Sequence, residues 1–440
     1  MWNGTKARAV LALVVMGLDG SAAAQSGDPS LQEIKDQLRQ AQEAIQKQQA
    51  VIEALQKRLA QLEQAQAPQP IATPVTHPPG AGSEPNGAAL PASITWKDGQ
   101  TIASFPKAEI KLSNRLQIRW VNDYLSGADR FQDDYSSFSI RRAKTTLTGW
   151  AYTKDLTFGL QVDWANANTA KGVLDDAYVN YDFTRGHGYF QVRAGQFKTP
   201  FGRQSIASTR TDMFVDRSFV TYLFCGIRDV GLMAWGTLGP DKVKDLFEYR
   251  VGVFNGAGRS VYSKEDDKYQ KDLRLMVSPW GSAGYDEDSP DLTEKPKVSL
   301  AFEYEENDGR TKNKDGAYTT GVEYQTRGYD LMFRYWRVTA YGEYFDRTQT
   351  TYDGRQTSFT GVNAQVGFLA IPRRLELFLG YWGFDPNTAE RVNAQVERGA
   401  GVNWYFSGNN NKLQADYRRL HDDVTNRSTY ELRCQYQIVF

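Results

Sequence analysis

The chain has 440 residues with 52 Lys and Arg against 52 Asp and Glu, so it lacks the basic surplus that nucleic-acid binding spreads along a face. Two cysteines (Cys225, Cys434) and three scattered histidines (His77, His187, His421) exclude a disulfide scaffold and a Cys- or His-based metal centre. With 24 Tyr, 22 Phe, 10 Trp, 38 Gly and a mean hydropathy of −0.57, the composition excludes a polytopic helical membrane protein and suits a transmembrane β-barrel or a large soluble β protein.

Residues 1–24 read as an export signal. Lys6 and Arg8 precede an apolar stretch from Ala9 to Leu18, and Ala22, Ala23 and Ala24 supply small residues for cleavage before Gln25. The segment 25–66 changes character. Leu31, Ile34, Leu38, Ala41, Ile45, Gln48, Ile52, Leu55, Leu59 and Leu62 alternate spacings of three and four among good helix formers. One helix cannot bury such a seam, so the spacing predicts a coiled coil about 48 Å long. The alternative is a single amphipathic helix laid on the rest of the chain. Residues 67–106 are a Pro-rich linker and lead-in, with seven prolines between Pro68 and Pro91.

From residue 107 to 440 the period becomes two. Ile110, Leu112, Leu116, Ile118 and Trp120 alternate with polar neighbours, as do Leu156, Phe158, Leu160, Val162 and Trp164, and Val298, Leu300, Phe302 and Tyr304. Sixteen such segments begin near residues 109, 138, 155, 173, 188, 227, 245, 268, 295, 320, 338, 356, 373, 394, 411 and 428. Tight turns alternate with longer connections, the stretch between the eighth and ninth strands being long where a short turn is expected. The pattern predicts an all-β fold, a 16-stranded antiparallel transmembrane β-barrel behind the N-terminal α-helical coiled coil. The last strand ends on Phe440, an aromatic terminus that resembles the address read by the outer-membrane barrel assembly machinery. Cys434 lies at a lipid-facing position of that strand.

The connection 199–226 is the longest. It carries Phe201, Ile206, Met213, Phe214, Phe219, Tyr222 and Phe224, too many apolar groups for a freely solvated loop, so it is expected to tuck into the barrel. Its cations Arg203, Arg210 and Arg217 have only Asp212 and Asp216 nearby in sequence. In a constriction, guanidinium and ammonium groups replace part of an anion's water with charge-assisted donors. The competing reading pairs these arginines with acids of the wall such as Asp163, Asp176 or Asp182, cancelling the charge.

Several short motifs in order, Ser139–Ala143 (SIRRA), Asp176–Val179 (DAYV), Arg193–Lys198 (RAGQFK), Pro200–Gly202 (PFG), Phe214–Ser218 (FVDRS) and Arg228–Gly231 (RDVG), resemble the phosphate-selective porin O/P family over roughly residues 107–440. The resemblance implies a homotrimeric, sixteen-stranded anion channel whose third external loop folds into the lumen. It places Arg141 and Arg142 at the strand-borne arginine pair of the constriction, Lys198 at the lysine that opens the inward loop, and Arg210 at a second loop lysine. Strict alternation would turn only one of Arg141 and Arg142 inward, and Arg142 shares its face with Lys144, Thr146 and Thr148. Lys111, Arg115 and Arg119, with Lys107, match a periplasmic lysine cluster loosely. No segment matches the family's external arginine ladder.

No nucleophile–histidine–acid set, metal-ligand cluster or phosphate-cradling loop stands in a suitable context, so no enzymatic activity, metal or cofactor is expected. The expected function is passive diffusion of small anions, phosphate or polyphosphate foremost, through a basic constriction in the Gram-negative outer membrane. The expected partners are two further copies of the chain, membrane lipid, the assembly machinery and small anionic solutes, with no nucleic acid. A general or sugar-permeating porin is one alternative. The other is a tether that reaches the cell wall from the periplasmic coiled coil.

Overall fold

The computed structural model describes residues 93–440, apart from 126–134, 167–173, 227, 241, 244, 260, 262–267, 313–317 and 391–393. The signal segment, the coiled coil and residues 67–92 of the linker lie outside the described residues.

The strands are β1 (Ser93–Lys97), β2 (Gln100–Phe105), β3 (Ala108–Leu125), β4 (Tyr135–Ala151), β5 (Thr153–Asp163), β6 (Leu174–Asp182), β7 (Gln191–Phe197), β8 (Asp229–Leu238), β9 (Phe247–Phe254), β10 (Gln270–Val277) and β11 (Thr293–Asp308). They continue as β12 (Thr311–Lys312), β13 (Tyr318–Thr320), β14 (Val322–Trp336), β15 (Val338–Thr351), β16 (Gln356–Ile371), β17 (Leu375–Asp385), β18 (Gln395–Ser407), β19 (Asn411–Asp422) and β20 (Arg427–Val439). β3 to β11 and β14 to β20 pair antiparallel with their chain neighbours, and β20 closes the ring on β3, from Thr429 opposite Leu125 to Val439 opposite Arg115. The result is a closed sixteen-stranded barrel, each strand beginning within three residues of its expected position. Closure leaves no ladder edge around the wall.

The wall is polar inside and apolar outside. Gln117, Glu305, Asn363, Gln414 and Gln437 are buried, whereas Ile118, Leu300, Leu331 and Leu379 on the other face are exposed. That inversion is what alternation produces when the outer face meets lipid. Cys434 is half-buried and both cysteines are free.

Two features were not expected. The lead-in folds as a β1–β2 hairpin around Asp98 and Gly99, both at positive φ, which matches the Asp-Gly signal of a two-residue turn. β2 pairs with the start of β3, just below the point where β20 ends, and Phe440 exchanges two backbone hydrogen bonds with Asn114. In β4 the ladder slips: Gln117 faces Arg142 but Ile118 faces Ile140, so Arg141 is the extra residue of a bulge.

Two connections fill the barrel. The first, residues 198–228, contains α1 (Arg203–Ile206) and α2 (Phe219–Phe224), the latter capped by Ser218, which accepts from Thr221 N. Its Phe201, Met213, Phe214, Val220, Phe224 and Cys225 pack against Phe345, Phe378 and Trp382 of the wall as one buried cluster. Inward glycines make the seat: a Cβ at Gly361 would lie 2.5 Å from the Phe224 ring. The second is the segment 278–292 between β10 and β11, on the side of the short turns. It turns up into the lumen, burying Ala283, Glu287 and Asp288, and meets the first loop there.

Candidate functional site: a cation-rich junction inside the barrel

The inward loop carries its one deeply paired acid, Asp216, against the wall formed by β3 and β4. Three guanidiniums converge on it. Arg119 Nη1 and Arg141 Nε lie 3.0 Å from Oδ2, and Arg142 Nη2 lies 2.9 Å from Oδ1. The bulge in β4 turns both Arg141 and Arg142 inward, correcting the expectation that alternation would separate them. Burial alone would raise the Asp216 carboxyl, but Arg141, Arg119 and Arg142 outweigh it and hold the group well below the usual carboxylate range. Arg119 also donates to Val215 O at 2.8 Å, and Arg142 to Gln117 Oε1 at 3.0 Å. One carboxylate thus balances three cations.

The remaining cations take different places. Arg115 donates to Thr209 Oγ1 at 3.0 Å, and Arg210 follows one residue along the loop, its carbonyl accepting from Gln437. Neither has an ion pair among the described residues. Lys144 bonds to Asp175 and lies 3.7 Å from Asp163. Lys198 is not a rim charge: its ammonium holds the carbonyls of Ile206 and Ala207, and Arg217 donates to Ser205 O and Ala207 O. Buried beside Arg217 and Arg228, the Lys198 ammonium is pushed well below its usual range. Both residues brace the loop from inside. Arg203 departs from the group, pairing with Asp330 on the β14 wall at 2.7 Å and donating to Gly284 O of the segment 278–292. Lys111 pairs with Glu109 near the start of β3, half-exposed and apart from the junction.

The competing pairing of the loop arginines with Asp163, Asp176 or Asp182 does not occur. Asp176 serves Arg228, Asp163 lies by Lys144, and Asp182 accepts from Thr184 and Gly188 in a turn. Among the described residues Arg203 is the one of the three loop arginines that is cancelled, by Asp330 of β14.

Sequence reasoning passed over three elements of the site. Asp216 stood only as a nearby acid, because its partners are remote in sequence. Arg418 and Arg433, which flank Asp416 on β19 and β20, carry the same inward parity as Gln435 and were legible from it. The segment 278–292 was marked as too long for a turn, yet its run Asp286, Glu287, Asp288 gave no hint of burial. It clasps the loop: Glu287 N and Asp288 N donate to Thr211 O, Met213 N donates to Glu287 Oε2 at 3.1 Å, and Thr211 Oγ1 donates to Asp286 Oδ1 at 2.9 Å.

The sequence matches the family model of phosphate-selective porin O and P over residues 113–439. The chain belongs to that family. The porin's barrel is similar to solved structures at low identity, a likeness of fold. The anion-selective porin from Comamonas acidovorans superposes with a TM-score of 0.54 at 12% identity, over 76% of this chain and 100% of that one. OmpT of Vibrio cholerae gives 0.52 at 8%, over 76% and 99%. The outer membrane channel DcaP of Acinetobacter baumannii gives 0.51 at 13%, over 76% and 99%. No curated protein matches the sequence. Family and fold make the molecule an outer-membrane porin, a channel protein.

Proposed function

We infer that the porin is a diffusion channel for small anions, phosphate among them, with its selectivity set where the inward loop meets β3 and β4. The observation that carries this is the junction at Asp216: three guanidiniums share one carboxylate, and Arg115 and Arg210 stand beside them with no ion pair among the described residues. A narrow passage with surplus cations concentrates anions and repels cations, and arginine forks match phosphate oxygens. In the membrane the chain acts as a homotrimer. Residues 25–66 form a periplasmic coiled coil that joins the three copies, and Phe440 directs barrel assembly. A link from the coiled coil to the cell wall would be additional to permeation.

The test is the reversal potential of the purified protein in a planar bilayer across a KCl gradient, followed by phosphate addition. Anion selectivity with chloride current blocked by phosphate is expected. Arg142→Gln should lower the chloride-to-potassium permeability ratio by about fivefold: one charge at about 8 Å across water is worth roughly 0.5 kcal/mol, lost by chloride and gained by potassium. Cation selectivity, or a ratio unchanged in Arg142→Gln, overturns the reading.

A further inference from the structure

On the lumen side of β6 to β9 one cation is held by rings alone. Arg193 has neither an ion pair nor a hydrogen-bonded side chain among the described residues, and its Nε is buried without a partner. Its guanidinium carbon lies 4.3 Å from the ring centre of Tyr178, and 5.5 Å from those of Phe197 and Trp235. Phe197 is buried with Met233 and Phe254, and Tyr178 and Trp235 pack half-buried against that cluster. The indole is fixed at its edge: Trp235 Nε1 donates to Asn180 Oδ1 at 2.8 Å, and Asn180 donates to Gln191 at 2.9 Å.

The neighbouring charges are already satisfied. Arg250, 5.8 Å from the Trp235 ring, pairs with Glu248 at 2.9 Å, and Asp176 pairs with Arg228. Alternation puts all these groups inside, since Val179, Leu232 and Val251 occupy the exposed outer face of the same strands. A stacked guanidinium keeps its positive charge and its in-plane N–H fork, because aromatic faces attract the cation without consuming its donors. Beside it lie flat ring surfaces that reward a flat apolar body. A small inorganic anion would use the fork and leave the rings idle.

We propose that Arg193 and Trp235, with Tyr178 seating the guanidinium, form a subsite for planar organic anions, the aromatic carboxylates, with the carboxylate on the Arg193 fork and the ring against Trp235. The proposal rests on the anion-channel reading and specifies a solute class for it.

The full-length porin in planar bilayers tests it, with block of chloride current read for benzoate, cyclohexanecarboxylate and acetate. These share one charge, and the first two share bulk. Benzoate should block at a concentration roughly threefold to tenfold below that of cyclohexanecarboxylate, the range expected of ring stacking. Arg193→Gln should abolish benzoate block, Trp235→Leu should erase the preference for benzoate, and Arg193→Lys should retain acetate block while losing most of that preference. Equal block by benzoate and cyclohexanecarboxylate, or benzoate block that survives Arg193→Gln, overturns the subsite; the wild-type comparison decides alone if a variant does not assemble. The KCl reversal potential reports the underlying reading separately. Anion selectivity without benzoate preference defeats the subsite only, and Arg193-dependent benzoate block in a non-selective pore defeats the general reading only.

Discussion

At the scale of single residues, one bulge changes what the arginine pair does. A regular β4 would send Arg141 to the outer face; the slip opposite Gln117 and Ile118 brings it to Asp216 beside Arg142. The charged Asp216 is the common acceptor, so its loss leaves three guanidiniums crowded without an anion. Asp216→Asn should cost about 3–5 kcal/mol, as breaking buried ion pairs does, and lower the thermal melt followed by circular dichroism. It should also raise anion selectivity, since the local surplus goes from two charges to three. An unchanged melt would show that the junction does not anchor the loop. The depressed carboxyl contributes stability above its unfolded value, lost only as pH falls through its folded value, so the junction should outlast the ordinary carboxylate range near pH 4.

Between elements, the decisive contact joins the two inward segments, and it carries the opposite pH response. Asp212 is buried with neither oxygen hydrogen-bonded, close to Glu287, whose Oε1 also has no partner. Burial raises both carboxyls, and Asp212 raises Glu287 further. The folded state therefore binds more protons than the unfolded chain, and the clasp weakens as pH rises from the ordinary carboxylate range through the raised values. Open-channel current noise should grow over that window, and Glu287→Gln should flatten the dependence; noise independent of pH in the wild type would refute the link. The apolar side of the same loop gives a second expectation. Gly361→Val would push against Phe224 and Val220, costing roughly 1–3 kcal/mol and unseating α2, visible as altered single-channel conductance. The loop's aromatic content announced this packing. The clasp was invisible because its partners, Thr211 to Met213 and Asp286 to Asp288, are joined only by the barrel's curvature.

For the whole molecule, the wall is uneven. β6, β7, β8 and β9 have 9, 7, 10 and 8 residues, against 16 for β11 and β16. At about 3.3 Å per residue and a tilt near 40°, β7 rises only about 18 Å, short of the apolar band of about 25 Å. Next to this low wall the outer face of β3 and β4 carries polar groups: Thr145 donates to Asn114 and accepts from Trp164 Nε1, each at 2.9 Å. Both features suit contact with protein more than with lipid, which places the proposed trimer interface on β3 to β9. A cysteine-linked fluorophore at Val179 should be shielded from a bilayer-phase quencher in the trimer, while one at Leu379 is quenched. Equal quenching would move the interface elsewhere.

The sequence by itself determined the barrel. Period-two alternation over sixteen segments fixes which face of each strand meets lipid, and a one-residue error would turn a whole strand inside out, so the starts of the sixteen wall strands were legible to within three residues, while the β12–β13 hairpin was not. It also marked the loop with Phe214 and Phe224 as too apolar for water, and named Arg142 as a lumen cation. Only the tertiary structure decided which charges remain uncompensated. Arg203 meets Asp330 across 127 residues, Arg119 meets Asp216 across 97, and Arg193 meets only rings among the described residues. Pairing depends on distance in space, and a closed sheet brings together side chains whose separation along the chain carries no trace of it.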